Sequence, residues 1–153
     1  SMLVGSEWKI AGVRVRDDGS LDWRPTARLT GMYSRYHGPE LLETELAGNR
    51  FFRQPFQLGQ IEPKTRVAFL DLLVTRDPEA GALYIHAINR HFRDAIGLEL
   101  ALPFAVGTDA LTIVPRDSGY SEEPFTLAKD PDGKITLPAV PAQSVRFYRL
   151  ELE

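Results

Sequence analysis

Histidine and cysteine are the residues that could give this chain a metal ion or a strong nucleophile. The sequence has three histidines, His37, His86 and His91, and no cysteine. His86 and His91 are five residues apart across a strand end, and odd and even positions of a strand face opposite sides of a sheet. The spacing therefore predicts structural or surface roles for all three histidines and no metal site. Without cysteine, disulfides, thiolate ligands and a cysteine nucleophile are excluded.

Acidic residues could carry glycoside hydrolysis, which needs two carboxylates about 5–10 Å apart. Glu43 and Glu45 share one face of a predicted strand at a spacing of about 7 Å. That face lies opposite the apolar one, and a chain with 21 acidic residues contains many such pairs. We therefore interpret the pair as part of a solvated sheet face.

A second acidic hypothesis makes the chain a small enzyme that uses Asp71 or Glu99. Asp71 lies in a very apolar strand, where burial without a partner would raise its pKa. Pairing with an arginine, or a place at the sheet surface, is the favoured interpretation. The sequence contains no Gly-x-Ser-x-Gly motif and no glycine-rich phosphate loop. We therefore assign no catalytic residue and expect no cofactor.

Aromatic residues could bind sugars, because their apolar faces stack on sugar rings. The candidates for sugar contact are Trp8, Trp23 and Tyr120, with Tyr36 as a further possibility. Trp23 follows a turn and precedes Arg24 and a proline, which would allow exposure. The favoured interpretation is that these side chains seal the sandwich against the helix, because most large aromatic residues are buried, and sugar contact is the alternative.

One amphipathic helix is predicted over residues 26–37. Its apolar residues recur at i, i+3, i+4 and i+7, with Thr26 as the N-cap and Gly38 followed by a proline as the stop. The stripe consists of Leu29, Met32, Tyr33 and Tyr36. We expect it to pack on the rest of this chain or to form an interface with another domain.

The remainder of the chain shows a strand period of two, broken by turns at residues 17–20, 77–81 and 130–133. Residues 51–56 fit either a strand or an extended loop, and 67–74 and 82–89 are predicted as buried central strands. The predicted strands are 8–16, 40–46, 67–74, 82–89, 96–102, 111–113, 125–127, 135–137 and 145–152. Eight to ten short strands without a β-α-β rhythm predict an all-β, antiparallel, jelly-roll-like sandwich with one short N-terminal helix.

Length and charge limit the function further. With 153 residues, the chain has the size of a single domain, 1–153. Its net charge of −3 argues against a nucleic-acid partner. No apolar run approaches the roughly 20 residues of a membrane helix, so no membrane partner is expected. Residues 1–2 look like a tag remnant and a start codon, with no signal peptide after them, and the cellular compartment stays open.

Four short segments occur in a recognisable order: Tyr33–Gly38 in the helix, Leu41–Glu43, Ile88–Arg90 at a strand end, and Leu137–Val145 at the entry to the last strand. This order resembles the C-terminal β-sandwich region of α-L-arabinofuranosidases of glycoside hydrolase family fifty-one. The resemblance covers residues 26–153. The isoleucine of the third segment stands where the family usually has valine, which is a conservative difference.

The resemblance implies an accessory role, not an active enzyme. The catalytic glutamates of that family lie on a barrel that needs about 250 residues, so none can be placed in this chain. The implied function is a non-catalytic C-terminal domain that braces the barrel of its parent chain, contributes to oligomer contacts and walls one side of the substrate cleft. Its partners are then that barrel or a second copy of itself. The alternative is an autonomous carbohydrate-binding module for an arabinose-containing oligosaccharide.

Overall fold

The structure is a computed structural model that describes residues 12–57, 59–117 and 119–153. Within them the chain forms one helix and thirteen strands. In chain order these are β1 (Val13–Val15), β2 (Leu21–Trp23), α1 (Pro25–Arg35), β3 (Glu40–Leu42), β4 (Phe51–Gln54), β5 (Lys64–Ala68), β6 (Leu70–Asp77), β7 (Ala82–Asn89), β8 (Ile96–Leu100), β9 (Val106–Arg116), β10 (Gly119–Thr126), β11 (Ala128–Lys129), β12 (Ile135–Val140) and β13 (Ser144–Leu152).

Two antiparallel sheets form the sandwich. The larger has six strands in the order β10-β9-β13-β7-β6-β3, and the smaller has the order β11-β12-β8. Leu83 and Ile85 of β7 and Leu137 and Val140 of β12 are fully buried in the core between the sheets. This arrangement confirms the predicted β-sandwich with one short helix, and β7 is the buried central strand that its sequence predicts.

The helix covers the other face of the large sheet. Met32 of α1 and Tyr36, the C-cap that follows the helix, pack on Tyr84, Ile113 and Phe147, which lie on three neighbouring strands of that sheet. The apolar stripe of the helix therefore packs on the large sheet of this chain. Packing within the chain is the first of the two outcomes that the sequence allows. The molecule has three layers: helix, large sheet and small sheet.

The helix begins one residue earlier and ends two residues earlier than predicted. Its N-cap is Arg24, not Thr26, and Pro25 stands in the first turn. Proline suits that position because its fixed φ is already helical and it has no N–H to leave unpaired. With 11 residues, this helix of the described ranges does not reach the length of a membrane-crossing helix.

The predicted buried strand 67–74 is wrong as a single element. It is divided at Phe69 into β5, which pairs with β4 as a separate hairpin, and β6 in the large sheet. Phe69 packs on Phe52 with 5.0 Å between ring centroids. Only Leu70 and Val74 of the predicted segment are fully buried, because α1 packs on β7, β9 and β13 and leaves part of β6 open.

The N-terminal strand prediction covers 8–16, of which residues 8–11 lie outside the described part. Residues 13–15 form β1, which pairs with β2. The sequence pattern did not predict β2. Residues 51–54, for which the sequence allowed a strand or a loop, form a strand.

Candidate functional site

A cleft of about 490 Å³ opens where three elements meet: the β1–β2 hairpin, the outer side of α1, and the turn from β9 to β10. Trp23 lines it from the hairpin and Tyr120 from β10. Trp23 is 49% exposed and Tyr120 36%. The structure thus brings together two of the three residues predicted to contact sugar, from positions almost a hundred residues apart. Trp8, the third, lies outside the described residues.

The floor of the cleft is a second stripe of α1. Ala27, Gly31 and Arg35 are four residues apart and therefore share one side of the helix. Met32 and Tyr36, on another side, are buried against the large sheet. A Cβ atom built on Gly31 would have no atom within 4 Å. The small residues of this stripe therefore leave open space above the helix.

Arg28 joins the walls of the cleft. Its Nε donates to the carbonyl of Trp23 at 2.6 Å, and its Nη1 donates to the carbonyl of Arg116 at 2.9 Å. One guanidinium thus ties the hairpin to the end of β9. Because it is planar and rigid, it also fixes the angle between them.

Arg35 lies against two aromatic rings beside the cleft. Its guanidinium carbon is 5.7 Å from the ring centroid of Tyr36 and 5.8 Å from that of Tyr120. The two rings meet edge to face at 5.4 Å. The Tyr36 hydroxyl donates to the Glu122 carboxylate. Burial, together with that hydrogen bond, raises the pKa of Tyr36, so the hydroxyl stays protonated and holds the cluster in place.

The four predicted interface residues have different environments. Met32 and Tyr36 are buried inside this chain, whereas Leu29 and Tyr33 keep part of their surface. A contact of the stripe with another domain stays a prediction, and only Leu29 and Tyr33 have surface left for it.

The acidic residues considered for catalysis lie in an ion pair or at the surface. Asp71 is bound by Arg90 at 2.6 Å, and its side chain is 55% exposed. The interpretation that an arginine pairs with Asp71 is therefore confirmed. Glu43, Glu45 and Glu99 are exposed.

The histidines lie in three separate places. His86 is buried under α1, His37 is exposed at the helix end, and His91 is half-buried, with its Nδ1 accepting a hydrogen bond from the backbone N–H of Asp94 at 2.9 Å. Residues 12–57, 59–117 and 119–153 contain no group of three or more potential metal ligands.

Among the described residues that line the cleft, the sequence pointed only to Trp23 and Tyr120 and missed the others, including Arg28, Gly31, Arg35 and Asp117. One signal was present for the helical ones. Ala27, Gly31 and Arg35 repeat every four residues, beside the apolar stripe and separate from it. Asp117 gives no such signal because only the fold brings the β9–β10 turn to the helix.

A second cavity of about 450 Å³ lies on the part of the large sheet that α1 does not cover. Its polar lining includes Asp109, Arg149 and Glu151. Arg149 and Glu151 are 3.6 Å apart and pair with each other. This cavity has no exposed aromatic residue comparable to Trp23.

Comparison with solved structures finds a similar fold in parts of three glycoside hydrolases. The α-L-arabinofuranosidase of Thermotoga maritima is 15% identical, with a TM-score of 0.74, over 98% of this chain and 33% of that chain. The family 51 enzyme of Thermotoga petrophila is 14% identical, with a TM-score of 0.70, over 92% and 31%. The catalytic domain of xylanase C from Talaromyces cellulolyticus gives 13% and 0.57, over 92% and 27%.

At these identities the similarity shows the fold. The chain spans about a third of the length of the arabinofuranosidases that it matches. No protein-family model matches the sequence, and no curated protein matches it.

Proposed function

We propose that this chain is the non-catalytic C-terminal accessory domain of an α-L-arabinofuranosidase-like glycoside hydrolase. One observation carries the proposal: the fold matches over 92–98% of this chain but over only 31–33% of two arabinofuranosidases. The unmatched two thirds of such an enzyme is more than enough for a catalytic barrel of about 250 residues.

The described side chains support a role in packing more than in catalysis. The one acid in an apolar strand, Asp71, is held by Arg90. Glu99 lies on the exposed side of β8. A general acid needs a raised pKa, which requires burial or a second carboxylate nearby. Asp71 is in an ion pair and both side chains are exposed, so we assign hydrolysis to the barrel of the parent enzyme.

The proposed partners are that barrel, a second copy of this chain, or both. The β4–β5 hairpin supports such a contact because Phe51, Phe56 and Ile61 are all exposed on it. A sizeable apolar surface on a small domain usually marks an interaction site. A sandwich held in this way would brace the barrel and wall one side of its cleft.

The test begins with the coding sequence that flanks this segment in its native gene. A barrel-sized segment of about 250 residues upstream would be expected, whereas a native start at Met2 with none upstream would refute the proposal. The isolated chain is then assayed with 4-nitrophenyl α-L-arabinofuranoside. No turnover is expected. Turnover that is lost on Asp71→Asn or Glu99→Gln would support the small-enzyme hypothesis instead.

A further inference from the structure

The cleft between the β1–β2 hairpin, α1 and the β9–β10 turn has the composition of a small-ligand site. Its volume of about 490 Å³ lies within the roughly 300–1,000 Å³ range of small-molecule pockets. Its walls supply two aromatic rings, Trp23 and Tyr120, and its polar groups come from Asp22, Arg35 and Asp117. Apolar surface with a few polar groups fixes both the position and the orientation of a ligand.

The arginine of this set has free donors. Among the residues that the structure describes, the Arg35 guanidinium makes no hydrogen bond and no ion pair. It is held instead by the faces of Tyr36 and Tyr120, at 5.7 and 5.8 Å. A guanidinium held by stacking keeps its five N–H groups available. Arg28 differs, because its donors already bind the carbonyls of Trp23 and Arg116.

The charges of the site do not favour an anion. Two carboxylates, Asp22 and Asp117, and two guanidinium groups, Arg28 and Arg35, line the cleft, and Asp22 is 3.8 Å from Arg16. The two carboxylates repel an anion at short range. They would instead accept hydrogen bonds from hydroxyl groups, and the Arg35 guanidinium would donate to hydroxyl oxygens.

The floor of the cleft is kept open by Gly31. Glycine is the least favourable helix residue after proline. Here no neighbour requires it, since a Cβ would have no atom within 4 Å. Packing of the residues that the structure describes therefore does not explain the glycine. A ligand that lies above the helix does explain it, because any larger side chain would extend into the cleft.

From these observations we infer that the cleft binds a neutral sugar ring. One face of the ring stacks on Trp23, and its hydroxyl groups bind Arg35 and Asp117. Tyr120 forms the adjoining apolar wall. This inference goes beyond the accessory role proposed above and does not depend on it, since it concerns the isolated chain alone.

The experiment is a titration of the ¹⁵N-labelled chain with three trisaccharides: arabinotriose, xylotriose and the acidic trigalacturonate. We expect saturable shifts of the Trp23 indole and the Gly31 and Tyr120 amides with at least one neutral sugar, with Kd on the order of 1 mM. Trigalacturonate is expected to give no such shifts. No saturable shift at about 50 mM of either neutral sugar, or tighter binding of the acidic one, would overturn the inference.

Four variants test whether the sugar binds in this cleft or at another surface. Trp23→Ala and Arg35→Met should each weaken binding about tenfold, by loss of stacking or of donors. Gly31→Leu should abolish it by filling the cleft. Phe92→Ala is the matched control, because Phe92 is 72% exposed and does not line the cleft. Binding that survives Gly31→Leu, or that Phe92→Ala weakens as strongly as Trp23→Ala does, would refute the site.

Discussion

His86 is a buried titratable group with one unpaired ring nitrogen. Its Nε2–H donates to the carbonyl of Tyr36, and its Nδ1 has no partner in the described part of the chain. The ring lies between Tyr33 and Phe147, at 4.9 and 4.2 Å. Burial lowers the pKa of His86, with a smaller effect from His37, against an opposing effect of the Tyr36 hydrogen bond. The imidazole is therefore kept neutral in the folded protein.

This lowered pKa makes stability depend on pH in one direction. The unfolded chain takes up a proton below about pH 6.5, whereas the folded chain does not. Stability is therefore complete above that pH and falls as the pH decreases toward the folded-state pKa, by at most about 1.4 kcal/mol per pH unit. Urea denaturation between about pH 7 and pH 5 should show this loss in the wild type and a smaller one in His86→Gln.

The control for this prediction is His37→Gln, which removes an exposed histidine nearby. Its pH dependence should stay close to that of the wild type, because His37 is the smallest of the causes that act on the pKa of His86. The carboxyl groups of Asp18 and Glu123, whose pKa values are lowered, lose their contribution only below about pH 4.5 and stay outside this range. Equal slopes for the wild type and His86→Gln would show that His86 is not the group responsible.

Single residues differed in how far the sequence could predict their environment. The pairing of Asp71 with an arginine was foreseen because an unpaired carboxylate in an apolar strand is costly. The adjacent turn and proline allowed Trp23 to be exposed, but packing was the favoured interpretation for the aromatic residues, and the structure leaves Trp23 half-exposed. The surroundings of His86 were not foreseen, since they depend on where α1 lies across β7, and no local pattern encodes that placement.

At the scale of elements, the segment that follows α1 lies against β6 at Gly38. A Cβ on Gly38 would lie 2.2 Å from the backbone carbonyl of Arg76, and the Gly38 N–H donates to the Thr75 hydroxyl at 2.9 Å. The sequence predicts Gly38 only as a helix stop. Its larger role is to let the chain cross β6 at close range after the helix.

The two glycines of this region should therefore respond oppositely to the same substitution. Gly38→Ala forces the backbone away from β6 and should destabilise the fold by about 1–3 kcal/mol. Gly31→Ala, in an open helix position, should stabilise it by up to about 1 kcal/mol. Urea denaturation followed by tryptophan fluorescence measures both. A similar change for both glycines would contradict the packing described for Gly38.

The sequence predicted a helix or strand where its hydrophobic pattern extended over many consecutive residues. The β7 strand and the apolar stripe of α1 follow from periodicity, because both bury an unbroken face. The division between β5 and β6 at Phe69 does not follow from periodicity. Both strands are apolar there, and only tertiary packing on Phe52 turns the chain from one sheet to another. The β2 strand was missed because three residues carry too little pattern.

At the scale of the whole molecule, the β4–β5 hairpin carries exposed apolar side chains outside the two sheets of the sandwich. Among the described residues its strands pair only with each other, and Phe56 and Ile61 are 71% and 57% exposed. The core between the two sheets gains nothing from these side chains. Their exposure therefore fits the proposed contact with a barrel or a second copy.

The exposed apolar side chains of this hairpin should make the isolated chain associate with itself, since water disfavours exposed apolar surface. Sedimentation velocity should show association that strengthens with concentration. Phe56→Glu should weaken it at least tenfold, which is about 1.4 kcal/mol, and should leave the midpoint of thermal unfolding nearly unchanged because Phe56 packs little in the monomer. The matched control is Leu41→Glu, at an edge-strand position that is 69% exposed. An equal effect of that substitution would point to general surface charge instead of the hairpin.

In the intact parent enzyme, the backbone amides of the same hairpin should be protected from hydrogen exchange. If these amides are protected neither in the parent enzyme nor in the self-associated chain, the hairpin is not the docking surface.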